Sequence, residues 1–267
     1  KVTTDGTIWK VLGNWTYGTD GDGGLATAAH TGWVQAMARR ESDGALLFAE
    51  WYEKTDDIGR LSKDSRIRKI SAGGIVSAFA GSGAIGGAGD GGSALSAELW
   101  PIYDLALDSL GNTYLAAGRY SDLRRVDAGG NISPVIDNFG QTVRAAGVAT
   151  DSANALYYTN NAGIHRLSST GQSTTLARTV PNGDPGEGVA SLEAQLFSPS
   201  GLLLDELGNL LFVEDDTSRI RQLTFGYTLG SSSTAIAPAG GTGSVQVIAP
   251  LASSAWTPTS SASWLHL

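Results

Sequence analysis

The 267-residue chain contains no cysteine and a single methionine. Disulfides and thiolate metal sites are therefore excluded, and stability must come from packing. No apolar run approaches the roughly 20 residues that a membrane-spanning helix needs. The opening KVTTDGTIWK also lacks a signal-peptide pattern, so we expect no membrane insertion and place any export signal upstream of Lys1.

Charge is scarce as well, with 16% charged residues and a formal net charge of −8. An acidic surface repels phosphate backbones and gains nothing from anionic lipid. Nucleic acid is therefore not an expected partner.

Glycine is abundant at 36 residues, and short apolar runs alternate with turn residues. The segment Gly89 to Asp137 contains four such runs, which predict strands over Tyr103–Leu107, Thr113–Ala117, Asp122–Val126 and Ile132–Ile136. The links DSLGN and DAGGN between them are typical of hairpin turns. Because a lone four-stranded sheet cannot bury both faces, the unit must stack on copies of itself.

Such copies are present. The second strand recurs as SDGALLFAE (42–50), SLGNTYLAA (109–117), SANALYYTN (152–160) and ELGNLLFVE (206–214). The third recurs as SRIRKI, DLRRV, GIHRL and SRIRQL. The segment EWYEKTDDIGRLSKDSR of the first unit is interpreted as a long polar loop. The fold prediction is all-β: a β-propeller of four-stranded antiparallel blades, with four blades and a partial N-terminal one.

The combination of GDGG-x-A-x-x-A, GN-x-Y/L, RIRK and GGI resembles the NHL repeat over Lys1 to about Phe225. The resemblance implies a propeller that usually has six blades, so two alternatives stay open. Either Thr7–Leu12 supplies a fourth strand to the last unit and closes a four-bladed ring, or the chain is a fragment of a longer array with open blade edges. In the family GDGG is structural, and Asp22 and Asp90 are expected to accept backbone N–H bonds.

After Phe225 the composition changes to Ser, Thr, Ala and Gly without a charged residue. The late Trp256 and Trp264 resemble the start of a BACON-like, Ig-type β-sandwich module. A low-complexity linker is the alternative. The predicted domains are therefore 1–226, an NHL-like propeller, and 227–267, a partial β-module or linker.

The channel mouth of a propeller is the usual binding region, and repeat-equivalent polar residues are predicted to face it. The candidate ligand-binding residues are Glu50, Trp51, Arg119, Asn160, Asn161, Glu214 and Asp215. The oxygen ligands Glu50, Asn160, Glu214 and Asp215 would suit Ca²⁺, and no other cofactor is expected. By contrast, Trp33, Trp100 and Phe197 are interpreted as inter-blade packing, and the arginine pairs are expected to meet Asp or Glu.

The functional prediction is a recognition scaffold for protein or carbohydrate in a bacterial protein that is secreted, periplasmic or at the cell surface. The alternative is a metal-dependent hydrolase or lyase that cleaves a lactone or phosphoester at the channel mouth. Open blade edges would also allow homo-oligomers.

Overall fold

The structure is a computed structural model that describes residues 4–55, 61–179, 191–206, 208–224, 228–229 and 247–248. At 54–55, 61–64, 118–121, 228–229 and 247–248 it describes the backbone alone. The described residues form strands and three short 3-10 turns, Ala26–Ala28, Ala94–Ser96 and Asp215–Thr217. No helix among them is long and apolar enough to cross a bilayer.

Four antiparallel sheets follow one another along the chain, as predicted. The first blade comprises β1 (Trp33–Arg39), β2 (Leu46–Thr55), β3 (Leu61–Ile70) and β4 (Val76–Gly83). The second comprises β5 (Asp104–Leu107), β6 (Thr113–Ala116), β8 (Arg124–Val126) and β9 (Ile132–Pro134), while β7 (Gly118–Asp122) leaves it to pair with β10 (Arg144–Ala145).

The third blade comprises β11 (Gly147–Thr150), β12 (Leu156–Asn160), β13 (Gly163–Leu167) and β14 (Ser173–Thr179), with β15 (Gln195–Leu196) added in parallel. The fourth comprises β16 (Pro199–Leu204), β17 (Leu210–Glu214) and β18 (Arg219–Leu223). A separate pair joins β19 (Thr228–Leu229) to β20 (Val247–Ile248).

The first strands of successive blades are neighbours, β1 beside β5, β5 beside β11 and β11 beside β16. They are the innermost strands of a β-propeller, and separate apolar clusters fill the spaces between consecutive blades. At the centre β11 and β16 approach so closely that a Cβ on Gly147 would lie 2.7 Å from the Gly201 nitrogen. Glycine at 147 is therefore required by the inter-blade contact.

The hairpin turns form as their sequences predict. The Asp108 carboxylate accepts the backbone N–H groups of Leu110 and Asn112, and Gly111 adopts a positive φ of 87°. Asp127, Asp151 and Asp205 make the same i+4 backbone bond in the other turns. This local device fixes the register of each hairpin.

The polar segment after Glu50 is strand up to Thr55 and again from Leu61, so the prediction of a loop is wrong for these residues, while 56–60 lie outside the described residues. Strands β2 and β3 continue in register from Glu50↔Arg66 to Thr55↔Leu61. The aromatic residues Trp51 and Tyr52 favour strand pairing, which outweighs the polar composition.

Ring closure through the N-terminal segment remains a prediction. Thr7–Leu12 supplies none of the described strands, and Leu12 packs against Ala26, Phe48 and Val76 of the first blade. Residues 225–227, which follow β18, lie outside the described part of the chain.

Candidate functional site

Glu50 and Glu214, two of the predicted mouth residues, are fully buried. Glu50 accepts the Gly32 N–H at 3.1 Å and the Arg66 Nε–H at 2.8 Å. Glu214 accepts the Phe197 N–H and an Arg221 Nη1–H, both at 3.1 Å. Each carboxylate thus joins the chain entering its blade's first strand to an arginine on the third strand.

Glu50 also lies 3.5 Å from Arg68 Nη1, the repeat equivalent of Arg221. These two equivalent positions are paired in a third blade with different chemistry. Asn160 occupies the place of Glu50 and Glu214, and its Oδ1 lies 3.0 Å from His165 Nε2. His165 in turn occupies the place of Arg68 and Arg221, as the register with the second strand shows. The predicted ring of ligands is therefore a set of cross-strand pairs within blades.

In the second blade Ala117 occupies the position of Glu50 and Glu214, and Arg124 pairs with Asp90 instead. Its guanidinium lies 2.7 Å from Asp90 and donates to the Glu98 and Ala88 carbonyls. Arg68 binds Asp22 at 2.7 Å and the His30 and Asp20 carbonyls in the same way. The aspartates of the two GDGG segments thus accept hydrogen bonds from guanidinium groups of third-strand arginines. Within the described part of the chain, these bonds take the place of the expected backbone N–H bonds.

The predicted residues Asn161 and Asp215 lie on the surface. Asp215 accepts from Ser200 Oγ at 2.7 Å, and Asn161 is exposed in the turn between β12 and β13. The Arg119 side chain lies outside the described residues. Among the described residues no three His, Asp or Glu side chains form a group that could hold a metal ion. Glu50, Glu214 and Asp215 consequently form no such acidic cluster.

Two of the aromatic residues assigned to inter-blade packing are exposed instead. Trp33 retains 59% and Trp100 49% of its accessible surface, while Phe197 is half-buried. Both tryptophans precede or open an innermost strand, where the small Ala and Leu side chains of the inter-blade clusters already fill the interior. The Trp33 ring contacts Trp51, its cross-strand partner.

A polar cavity of about 510 Å³ opens between the second and third blades. Its walls include Asp122, Asp137, Arg144, Tyr158 and Asn160. The β7–β10 pair brings Arg144 to 3.4 Å from Asp122, an exposed ion pair that solvent screens strongly. The cavity therefore offers acceptors, a cation and an amide to a polar ligand.

A buried hydrogen-bonded group supports the Asn160 wall of this cavity. The His165 ring stacks on Tyr158 with a centroid separation of 5.0 Å and contacts Thr175 Oγ1 through Nδ1. Burial lowers the pKa of His165 to about 4, so the imidazole is neutral at pH 7. Tyr158 is buried too, its hydroxyl lies 3.0 Å from Ser173 Oγ, and desolvation raises its pKa.

A further, partly buried carboxylate, Asp104, lies where the innermost strands meet. Asp104 accepts the N–H groups of Leu105 and Val148, each at 2.9 Å, and that of Leu202. It therefore ties together the first strands of three blades. Burial outweighs these hydrogen bonds and raises the pKa of Asp104 to about 6.

Sequence reasoning predicted Asn160 at the channel mouth, and the structure places it in the wall of this cavity. The other wall residues Asp122, Asp137, Arg144 and Tyr158 were not among the candidates. The available signal was the departure of the third unit, in which NFGQTVRAAG replaces the usual GDGG entry. That replacement forms β10 and the cavity rim around Gln141. The pairing of β7 with β10 is a long-range contact that no local pattern indicates.

No protein-family model matches the chain, and no curated protein matches it. Solved structures similar to it include a protein of unknown function from Bacteroides thetaiotaomicron (15% identity, TM-score 0.48, 80% of this chain and 46% of that one). An auxiliary nutrient binding protein from the same organism is 15% identical with a TM-score of 0.48, over 73% of this chain and 48% of that one.

A gluconolactonase from Xanthomonas campestris is 12% identical with a TM-score of 0.47, over 80% of this chain and 61% of that one. The matches span less than two thirds of each of these structures. At such identities and TM-scores the likeness assigns no activity to this chain.

Proposed function

We propose that this propeller is a recognition scaffold that binds protein or glycan in the cavity between its second and third blades. The cavity lining supports the proposal. Among the described residues, the hydrogen bonds of the Asn160 side chain are made by Oδ1, with the Ala162 N–H and His165 Nε2. The side-chain amide nitrogen can therefore donate to a ligand. Arg144 is 61% exposed at the rim and can exchange Asp122 for a ligand acceptor.

The alternative, a metal-dependent hydrolase or lyase, needs oxygens that are free to bind a cation. Glu50 and Glu214 have no exposed side-chain surface and are bound to arginines. These occupied carboxylates favour binding over metal-assisted cleavage at the predicted residues.

The finer parts of the proposal rest on sequence. We assign the blades to the NHL-repeat type and divide the chain at 226/227, with a BACON-like module or linker after it. A secreted, periplasmic or cell-surface bacterial location is proposed with them. We also propose self-association through open blade edges. Ile220 supports it, because it is 74% exposed on β18, the last strand of the fourth sheet as described.

A binding screen with two probes tests this function: a printed glycan array and a dodecapeptide phage library, each applied to the full chain. Arg144→Ala should weaken binding of the selected glycan or peptide, whereas Arg39→Ala should not. Arg39 is a matched control, 64% exposed and 3.5 Å from Glu41. Selection of no ligand, or equal loss in both variants, would overturn the proposal. Calcium-dependent cleavage of a lactone or phosphoester would establish the enzyme instead.

A further inference from the structure

Three aromatic side chains of the first blade form a partly exposed cluster, called the aromatic platform: Tyr17, Trp33 and Trp51. The Trp33 and Trp51 rings have centroids 6.4 Å apart and planes 29° apart, so they present nearly parallel faces. Tyr17 meets Trp33 edge-on at 6.4 Å and 64°. Neither the repeat pattern nor the cavity accounts for this arrangement.

Backbone contacts hold the platform in place. Trp33 and Trp51 are directly opposed on β1 and β2, and Tyr17 forms a parallel bridge with Thr31. The Tyr17 hydroxyl accepts the Glu53 N–H at 2.8 Å. Rings positioned in this way lose little conformational entropy when they bind a ligand.

The exposed area decides which kind of ligand fits. Trp33 is 59% and Tyr17 50% exposed, and Trp51 is half-buried. Since a whole aromatic residue buries about 150–250 Å², the platform offers on the order of 300 Å². A stable protein interface covers about 800 Å² on each partner. The platform is therefore too small for a globular protein and large enough for one or two sugar rings.

Polar residues adjoin the backbone bridge that positions Tyr17, and a sugar requires such groups. Asp20 is 86% exposed at its side chain and lies 3.8 Å from His30, whose backbone precedes the Thr31 bridge. A hexopyranose has an apolar face of C–H groups, which packs on an aromatic ring, and an equator of hydroxyls, which bonds to carboxylates and imidazoles. Aromatic and polar groups together match both parts.

We propose that the aromatic platform binds the apolar face of hexose units in a neutral polysaccharide, with Trp33 as the main contact. This inference goes beyond the proposed function, because it assigns a second site with a glycan as its ligand. The site is on the first blade, whereas the cavity lies between the second and third.

Affinity electrophoresis of the full chain in gels containing laminarin, xylan, galactomannan or hydroxyethylcellulose tests the inference. Trp33→Ala should raise the Kd for the retarding polysaccharide about tenfold or more, as loss of an aromatic hot spot does. Trp100→Ala is the matched control, because it has the equivalent repeat position and is 49% exposed. Circular dichroism checks that both variants fold.

Loss in Trp33→Ala with retention in Trp100→Ala supports the platform. Equal retardation of wild type and Trp33→Ala, or equal loss in both variants, overturns it. If Arg144→Ala alone abolishes retardation, the platform is wrong while the proposed recognition function stands. If no polysaccharide retards the wild type, the platform is also wrong, and the peptide probe then decides the recognition function separately.

Discussion

Replacing Glu214 by alanine separates a structural carboxylate from a metal ligand. The substitution removes the acceptor for the Phe197 N–H and leaves the Arg221 guanidinium, whose side chain is 9% exposed, without its carboxylate. Breaking a buried ion pair from one side typically costs about 3–5 kcal/mol. We therefore expect Glu214→Ala to lower the free energy of unfolding by about that amount.

Two further variants show whether the loss comes from removal of the buried Glu214–Arg221 ion pair. Glu214→Leu combined with Arg221→Met should recover most of the stability, because an apolar pair leaves no buried charge uncompensated. Asp215→Ala is the matched surface control. Its carboxylate is exposed and accepts a hydrogen bond from Ser200 Oγ, so its loss should change the free energy of unfolding by no more than about 0.5 kcal/mol.

Urea unfolding followed by tryptophan fluorescence, with and without Ca²⁺, provides the measurement. A cation that Glu214 bound would stabilise the wild type by about 2.7 kcal/mol at a hundredfold excess over its Kd, and the variant far less. We expect no such calcium-dependent difference. A loss below about 1 kcal/mol in Glu214→Ala, or calcium stabilisation that disappears with this substitution, would refute the assignment of Glu214 to a structural ion pair.

Further predictions concern pH and packing. The pKa of Asp104 is raised from 3.8 to about 6, so between these pH values the native state binds more protons than the unfolded state. The free energy of unfolding should therefore fall as pH rises through this range, and Asp104→Asn should remove that trend. His165 has the opposite effect, because its pKa is lowered from 6.5 to about 4 and the free energy of unfolding falls as pH drops through that range. In urea unfolding at a series of pH values, His165→Gln should reduce the dependence of stability on pH between 6.5 and about 4. Gly147→Ala should cost about 1–3 kcal/mol by overpacking against Gly201, whereas Gly73→Ala, with its nearest contact at 3.8 Å, should be almost neutral in thermal unfolding.

The cross-strand pairs explain why equivalent polar positions suggested a binding ring. Glutamate recurs at 50 and 214 because arginine recurs at 68 and 221, and Asn160 accompanies His165. When the acid and its arginine recur together, with the same spacing between their strands, the pair is typical of a structural contact. A metal site would need these oxygens to converge from different blades and to remain unbound by arginine.

The platform and the cavity show how surface function can arise from departures in a regular fold. Tyr17 and Trp51 flank an otherwise ordinary repeat position, Trp33, while Trp100 at the same position has no aromatic partner among the described ring pairs. The cavity similarly depends on Arg144, where the third unit departs from the repeat. Residues that follow the repeat pattern contribute mainly to packing between blades.

Local chemistry made much of the fold predictable. The Asp-initiated turns, the strand pattern from Thr113 and the four-unit repeat all follow from interactions within a few residues or from the need of a sheet to stack. The same reasoning wrongly predicted a loop after Glu50. A polar composition indicates that a segment is exposed to solvent, and both a loop and a pair of long exposed strands are. Cross-strand pairing decided between them.

By itself the sequence determined an all-β repeat chain, its turns and its blade order, because side-chain alternation and turn residues act over short distances. Only the tertiary structure decided which polar groups form hydrogen bonds or ion pairs within the protein and which are accessible to a ligand. Glu50 is bound by Arg66, whereas Asn160 reaches a cavity and Trp33 an exposed platform, although all three come from repeating positions. The reason is physical: partners such as Arg144 and Asp122 are 22 residues apart and meet only through strand pairing.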